Sequence, residues 1–245
     1  MGRRTVTFAP DEWFHCYTRG VDKRIIFMDE PDAQRFQMLL YSSNGSRRVH
    51  LSNFSSKNQG PALLDVLTSA RGTPLVDIAA YCLMPNHIHL LLRELDYGGI
   101  STFMQKLGTG YTMYFNKRYE RTGALFSGRF KAAHVNADSH SRRIINYIHA
   151  NPAELYEPGW KQGVIRNEEK LKKSLLAYQF SSLLDYSGIT RPENILINRS
   201  AAMEIVDTAP SFKTLLDDAG VFYWREKVIL DELEHKEPAI SKARP

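Results

Sequence analysis

The stretch "LVDIAAYCLMPNHIHLLLREL", residues 75–95, decides the fold. Two apolar β-prone runs flank the turn dipeptide Pro85-Asn86, so it reads as an antiparallel hairpin. Side chains alternate along a strand, which places His87 and His89 on one face and Ile88 on the other. Two imidazoles on one face can share a cation, or they can be hydrogen-bonded core residues. Neither cysteine, Cys16 or Cys82, suggests a thiolate zinc site or a disulfide framework. If the pair holds a metal, a further ligand has to come from elsewhere in the fold.

Outward from the hairpin, "EWFHCYT" (12–18) reads as a first strand, and "RGVDKR" after it as a turn. "DEPDAQRFQMLLYSS" predicts a helix capped by Asp29 or Asp32, with Phe36, Leu39 and Leu40 at helical spacing. Residues 42–62 are rich in Ser, Asn and Gly and read as a loop. Thr102 with Gln105 forms a capping-box pattern for a helix bearing Phe103, Leu107, Tyr111, Tyr114 and Phe115. Gly108 and Gly110 weaken that helix and suggest a close backbone approach. "GALFSGRFKAAHV" reads as a bent strand. Asp138 or Ser139 can cap "SHSRRIINYIHAN", a helix stopped by Pro152. The order β, α, β, β, α, β, α predicts an α+β fold with helices on an antiparallel sheet. It spans residues 1–188, followed by a helical C-terminal extension, 189–245, with a frayed tail.

The 245 residues are 43% apolar and carry a net charge of +5, with a pI near 9.1. That suits a chain able to bury a core and to bind a polyanion or an acidic surface. The N-terminus has no apolar leader and no run reaches membrane-spanning length, so the expectation is a soluble, unprocessed, cytoplasmic protein with no membrane partner. The basic residues cluster. In "QKLGTGYTMYFNKRYERTGALFSGRFKAAH", Lys106, Lys117, Arg118, Arg121, Arg129 and Lys131 face a single acid, Glu120, and six of the residues are Tyr or Phe. Cations with aromatic platforms suit single-stranded nucleic acid, although about half of such rings serve as core.

On the helix before Pro152, His140, Arg143, Tyr147 and Asn151 share one flank, while Ile144, Ile145 and Ile148 on the next dock it. Alone, the tyrosine and asparagine would read as a half-buried ring and a helix cap.

Taken together, "YCLMPNHIHLLL", "YFNKRYERTGALFSGRFKAAHV", "YIHANP" and "FSSLLDYSG" resemble the single-tyrosine HUH transposases, in particular the REP-associated tyrosine transposases. The resemblance runs from about residue 13 to 188. It implies a ferredoxin-like antiparallel sheet with helices on one face, and a divalent metal, Mg or Mn. His87 and His89 match the metal ligands, Asn151 the polar third ligand, and Tyr147 the nucleophile that forms a 5′-phosphotyrosine. The implied activity is a metal-dependent single-stranded DNA strand transferase acting on hairpin-forming repeats, as monomer or homodimer, with no nucleotide cofactor. Arg19, Lys106, Lys117, Arg118, Arg121, Arg129, Lys131 and Arg143 are the candidate DNA contacts. Two alternatives stand beside this reading. One is a hairpin-binding protein without productive cleavage; the other is a replication initiator or relaxase, against which the histidines precede the tyrosine and no helicase segment follows. The segment 42–74 is longer than the usual connection, and 189–245 lies outside the minimal family domain.

Overall fold

Val76–Met84 and His87–Glu94 form the expected hairpin, closed by Pro85-Asn86. The computed structural model describes residues 6–54, 62–135, 139–203 and 211–235. In chain order the strands are β1 (Trp13–Arg19), β2 (Val76–Met84), β3 (His87–Glu94) and β4 (Lys131–Val135), arranged β2-β3-β1-β4 with every neighbouring pair antiparallel. This is the ferredoxin-like order, and it makes the histidine strand β3 an interior one. The register sets Arg19 and Met84 opposite His87, and Tyr17 and Cys82 opposite His89. A bulge in β2 between Ile78 and Ala80 takes up one extra residue at the end remote from the histidines.

The helices are α1 (Glu30–Ser43), α2 (Leu63–Leu67), α3 (Gly99–Arg118), α4 (Ser139–Ala150), α5 (Glu168–Ala177), α6 (Leu183–Tyr186), α7 (Arg199–Met203) and α8 (Phe212–His235). Asp29, not Asp32, caps α1, its carboxylate accepting from Asp32 N at 3.1 Å. The helix expected from Thr102 begins earlier, at Gly99. Its first turn is held by Glu94 at the end of β3, whose carboxylate accepts from Gly98 N and Ile100 N, each at 2.7 Å. A strand-end carboxylate placed by the tertiary fold does the work assigned to the local capping box. At Gly110 a Cβ would stand 3.1 Å from the Leu39 side chain, so the expected close approach of α1 and α3 is there, whereas Gly108 faces open space.

The bent strand expected over 123–135 is regular only from Lys131. Before it the chain runs as a loop tied to the end of β1, through Val21 N to Leu125 O at 2.9 Å and Ser127 N to Arg19 O at 2.8 Å. The segment 42–74 holds a short 3-10 turn, Leu51–Phe54, and α2. Asp138 and the tail 236–245 lie outside the described residues.

As the fold requires, α1 and α3 cover one face of the sheet, the one bearing Ile88, Leu90 and Leu92. The opposite face is covered as well, which "helices on one face" did not anticipate. There α4 docks through Ile144, Ile145 and Ile148, each 1% exposed or less. Each such burial contributes roughly 2 kcal/mol, enough to fix the helix beside β3. Across α4 runs α8, with Leu215, Leu216, Ala219 and Phe222 joined to the same core cluster as the sheet. The outer edge of β2 is closed by residues 180–182, through Leu83 N to Phe180 O at 2.9 Å and Ser182 N to Tyr81 O at 3.0 Å. The "FSSLLDYSG" segment thus protects an otherwise open sheet edge. Among the described residues, no helix is long and apolar enough to cross a membrane.

Candidate active site and nucleic-acid groove

β3 turns His87 and His89 toward α4. His87 is half-buried and His89 is buried. Each has its Nδ1 engaged: His87 Nδ1 donates to Asn86 Oδ1 at 2.7 Å, and His89 Nδ1 lies 2.9 Å from Nε2 of His15 on β1. Neither bond uses the Nε2 nitrogen of His87 or His89. Burial lowers the pKa of His87 to about 4, with Glu154 opposing that shift. Burial likewise lowers His89 well below its ordinary value, and His15 to about 3. Near neutral pH the rings are therefore uncharged and carry lone pairs that a cation can use.

Asn151 opens a 3-10 turn, Asn151–Leu155, directly after α4. It is buried. Its Nδ2 donates to the Tyr147 carbonyl at 2.7 Å, and its Oδ1 has no hydrogen-bond partner among the described residues. A buried carbonyl left in this state is costly and calls for an explanation. The amide oxygen is a hard donor suited to Mg or Mn, which two neutral imidazoles alone would hold poorly, so the three together would offer a mixed donor set for a divalent cation. Among the described residues no three His, Cys, Asp or Glu side chains gather as a metal cluster. The amide is thus the protein group that would complete the set.

Tyr147 is 4% exposed. Its ring stands edge-on to His89 with centroids 5.6 Å apart, and lies 5.0 Å from the ring of Phe222 on α8. Burial pushes the phenol pKa up, while the Asn151 amide pulls it down.

These residues line one groove of about 910 Å³. Of the expected DNA contacts, Arg19, Arg129 and Lys131 stand on its walls. So do Lys23 and Lys161, which the sequence reading passed over. Lys161 pairs with Glu154 at 2.6 Å and sits 4.8 Å above the Tyr223 ring. Lys23 and its neighbour Asp22 both adopt left-handed backbone, φ 58° and 54°, which is uncommon for residues other than glycine.

The other expected contacts lie elsewhere. Arg118 is spent on Asp29 and on the fully buried Asp32, each at 2.6 Å, and Asp32 also accepts from the hydroxyls of Tyr114 and Tyr119. Arg121 donates to Asn116 Oδ1 at 2.8 Å, Lys106 to Gly45 O at 2.8 Å, and Arg143 lies 3.8 Å from Asp218 on α8. Lys117 falls in the last turn of α3, outside the groove lining. Tyr111 and Phe115 are core rings. The side chain of His140 lies outside the described residues. His15 was hidden within "EWFHCYT"; its alternation with Tyr17 and Arg19 on one face of β1 is the signal that could have found it.

Residues 48–151 match the model of the family described as Transposase IS200 like. That stretch contains the hairpin, both histidines, Tyr147 and Asn151, so the resemblance read from the motifs is borne out. Among solved structures the chain is similar to one described as "Structure of the REP associates tyrosine transposase bound to a REP hairpin", at 12% identity and a TM-score of 0.49, over 79% of this chain and 90% of the other. Comparison with curated proteins finds no match.

Proposed function

We propose that this chain, matched over residues 48–151 to the IS200-like transposases, is a metal-dependent single-stranded DNA endonuclease and strand transferase acting on hairpin-forming repeats. The observation that carries the reading is the convergence of His87, His89, Asn151 and Tyr147 on one groove with Arg19, Arg129 and Lys131 on its walls. Nε2 of His87, Nε2 of His89 and Oδ1 of Asn151 would hold the divalent cation. When bound, Mg or Mn supplies Lewis-acid stabilisation to the scissile phosphate oxygens.

The chain's own residues do the rest. Arg19, Arg129 and Lys131 bind the strand by its phosphates, and their charge offsets the cost of ionising the buried Tyr147 phenol. Tyr147 Oη, its proton released to solvent, attacks phosphorus and forms a P–O bond to the 5′-phosphate while the bond to the 3′ oxygen breaks; that oxygen takes up a proton and leaves as a 3′-hydroxyl. The phosphotyrosine keeps the energy of the broken ester, so transfer to another 3′-hydroxyl needs no nucleotide cofactor. A DNA substrate supports a cytoplasmic location.

A second reading, a hairpin-binding protein without productive cleavage, is favoured by the cover Phe222 lays over Tyr147. One experiment separates the two. The full chain is incubated with labelled single-stranded oligonucleotides carrying the repeats that flank its gene, with and without Mn or Mg. A denaturing-gel band of covalent protein-DNA that depends on the metal supports strand transfer; tight binding with no such band supports the second reading.

A further inference from the structure

We infer that His15 is a positioning residue that fixes which nitrogen of His89 is free to meet a cation. The inference rests on the metal reading above and deepens it. The two rings are nearly coplanar, 15° apart, with centroids separated by 5.1 Å and Nε2 of His15 2.9 Å from Nδ1 of His89. At that angle and spacing they meet edge to edge, so the acceptor lone pair lies along the hydrogen bond. A single hydrogen occupies the gap, and its owner decides the chemistry of both rings. For Nε2 of His89 to accept a cation it must be bare, so the ring's proton sits on Nδ1 and is donated to a bare Nε2 of His15. The proton of His15 is then on its Nδ1. Each tautomer dictates the other.

His15 can keep this role because it cannot turn away. It is 3% exposed, and the rings of Tyr147 and Phe222 stand edge-on to it at 6.2 and 6.4 Å. His87 is served differently: Asn86, its immediate chain neighbour, accepts its Nδ1 proton at 2.7 Å. His89 depends instead on a residue 74 positions away, delivered by the β1–β3 register. Such partners of metal-binding histidines commonly change affinity 10- to 100-fold when removed.

The test uses the full chain. Nitrogen-15 NMR of the histidine rings in the metal-free wild type should show His89 as the Nδ1–H tautomer; finding it as Nε2–H overturns the proposal. His15→Phe keeps a flat ring in the core but accepts no proton, so His89 should lose its single tautomer, and Mn affinity by titration calorimetry should fall roughly 10- to 100-fold. His15→Gln restores an acceptor oxygen near the same point and should recover most of that loss. Should His15→Phe fail to fold, the wild-type tautomer and His15→Gln decide the question. His15→Phe binding Mn as tightly as the wild type, while His89→Ala abolishes binding, would reject the role of His15 and leave the metal reading standing. Absence of Mn binding in the wild type would reject the metal reading and the role of His15 with it.

Discussion

The amide of Asn151 turns its nitrogen back onto the carbonyl of Tyr147, 2.7 Å away, and leaves its own oxygen buried without a hydrogen-bond partner. The residue that would ligate a cation is thereby tied to the residue that would attack phosphorus. Asn151→Ala should raise the Mn concentration needed for half-maximal cleavage at least about tenfold. In wild type, Mn should raise the melting temperature in proportion to its occupancy, and EDTA should reverse the shift; the variant should respond less. Equal metal response in both proteins would reduce Asn151 to a helix cap.

Tyr147→Phe removes one oxygen and keeps the ring that packs between His89 and Phe222. The covalent adduct should vanish, hairpin affinity should stay within about twofold, and stability should change by no more than about 1 kcal/mol. Adduct formed by the Phe variant would place the nucleophile on another residue.

Two arginines that look alike in sequence should behave oppositely. Arg129→Glu, on the groove wall, should weaken single-stranded DNA binding and flatten its dependence on log salt by roughly one unit, with little change in stability. Arg118→Ala deprives the fully buried Asp32 of its cation and should cost roughly 3 kcal/mol in denaturant unfolding while the salt slope is kept. Affinity indifferent to salt in the wild type would mean that the groove cations do not hold the phosphates.

Phe222→Ala opens a cavity beside Tyr147 and should destabilise the protein by about 3 kcal/mol. Nitration of Tyr147 by tetranitromethane, read by peptide mass spectrometry, should be faster than in the wild type. An unchanged rate would mean that Phe222 is not what shields the ring.

The sequence disclosed what is local or periodic. The alternation of "HIHLLL" placed His87 and His89 on one face, and the isoleucines of "RRIINYI" told which side of α4 would dock. What stayed hidden depends on register and on contacts between distant segments. Nothing in "EWFHCYT" says that His15 will stand diagonal to His89, since that needs the β1–β3 pairing in which Tyr17, not His15, is its direct neighbour. Arg118 read as a DNA contact because its partners, Asp29 and Asp32, lie more than eighty residues earlier. Lys161 sat alone in an uninformative stretch, and only the turn after α4 brings it to the groove. The same holds for α8: composition marked it as helical but gave no sign that Phe222 would cover Tyr147.

The interior place of β3 sets a clock on the site. Ladders on both of its edges must open before His87 or His89 can leave the sheet, so their amide protons should exchange only on the timescale of whole-domain opening. Asn151 sits in a single 3-10 turn and Lys23 in a left-handed loop, and neither belongs to the sheet ladder. One wall of the groove is thus a strand hydrogen-bonded on both edges and the other a turn and a loop, so amide exchange read residue by residue should separate the two.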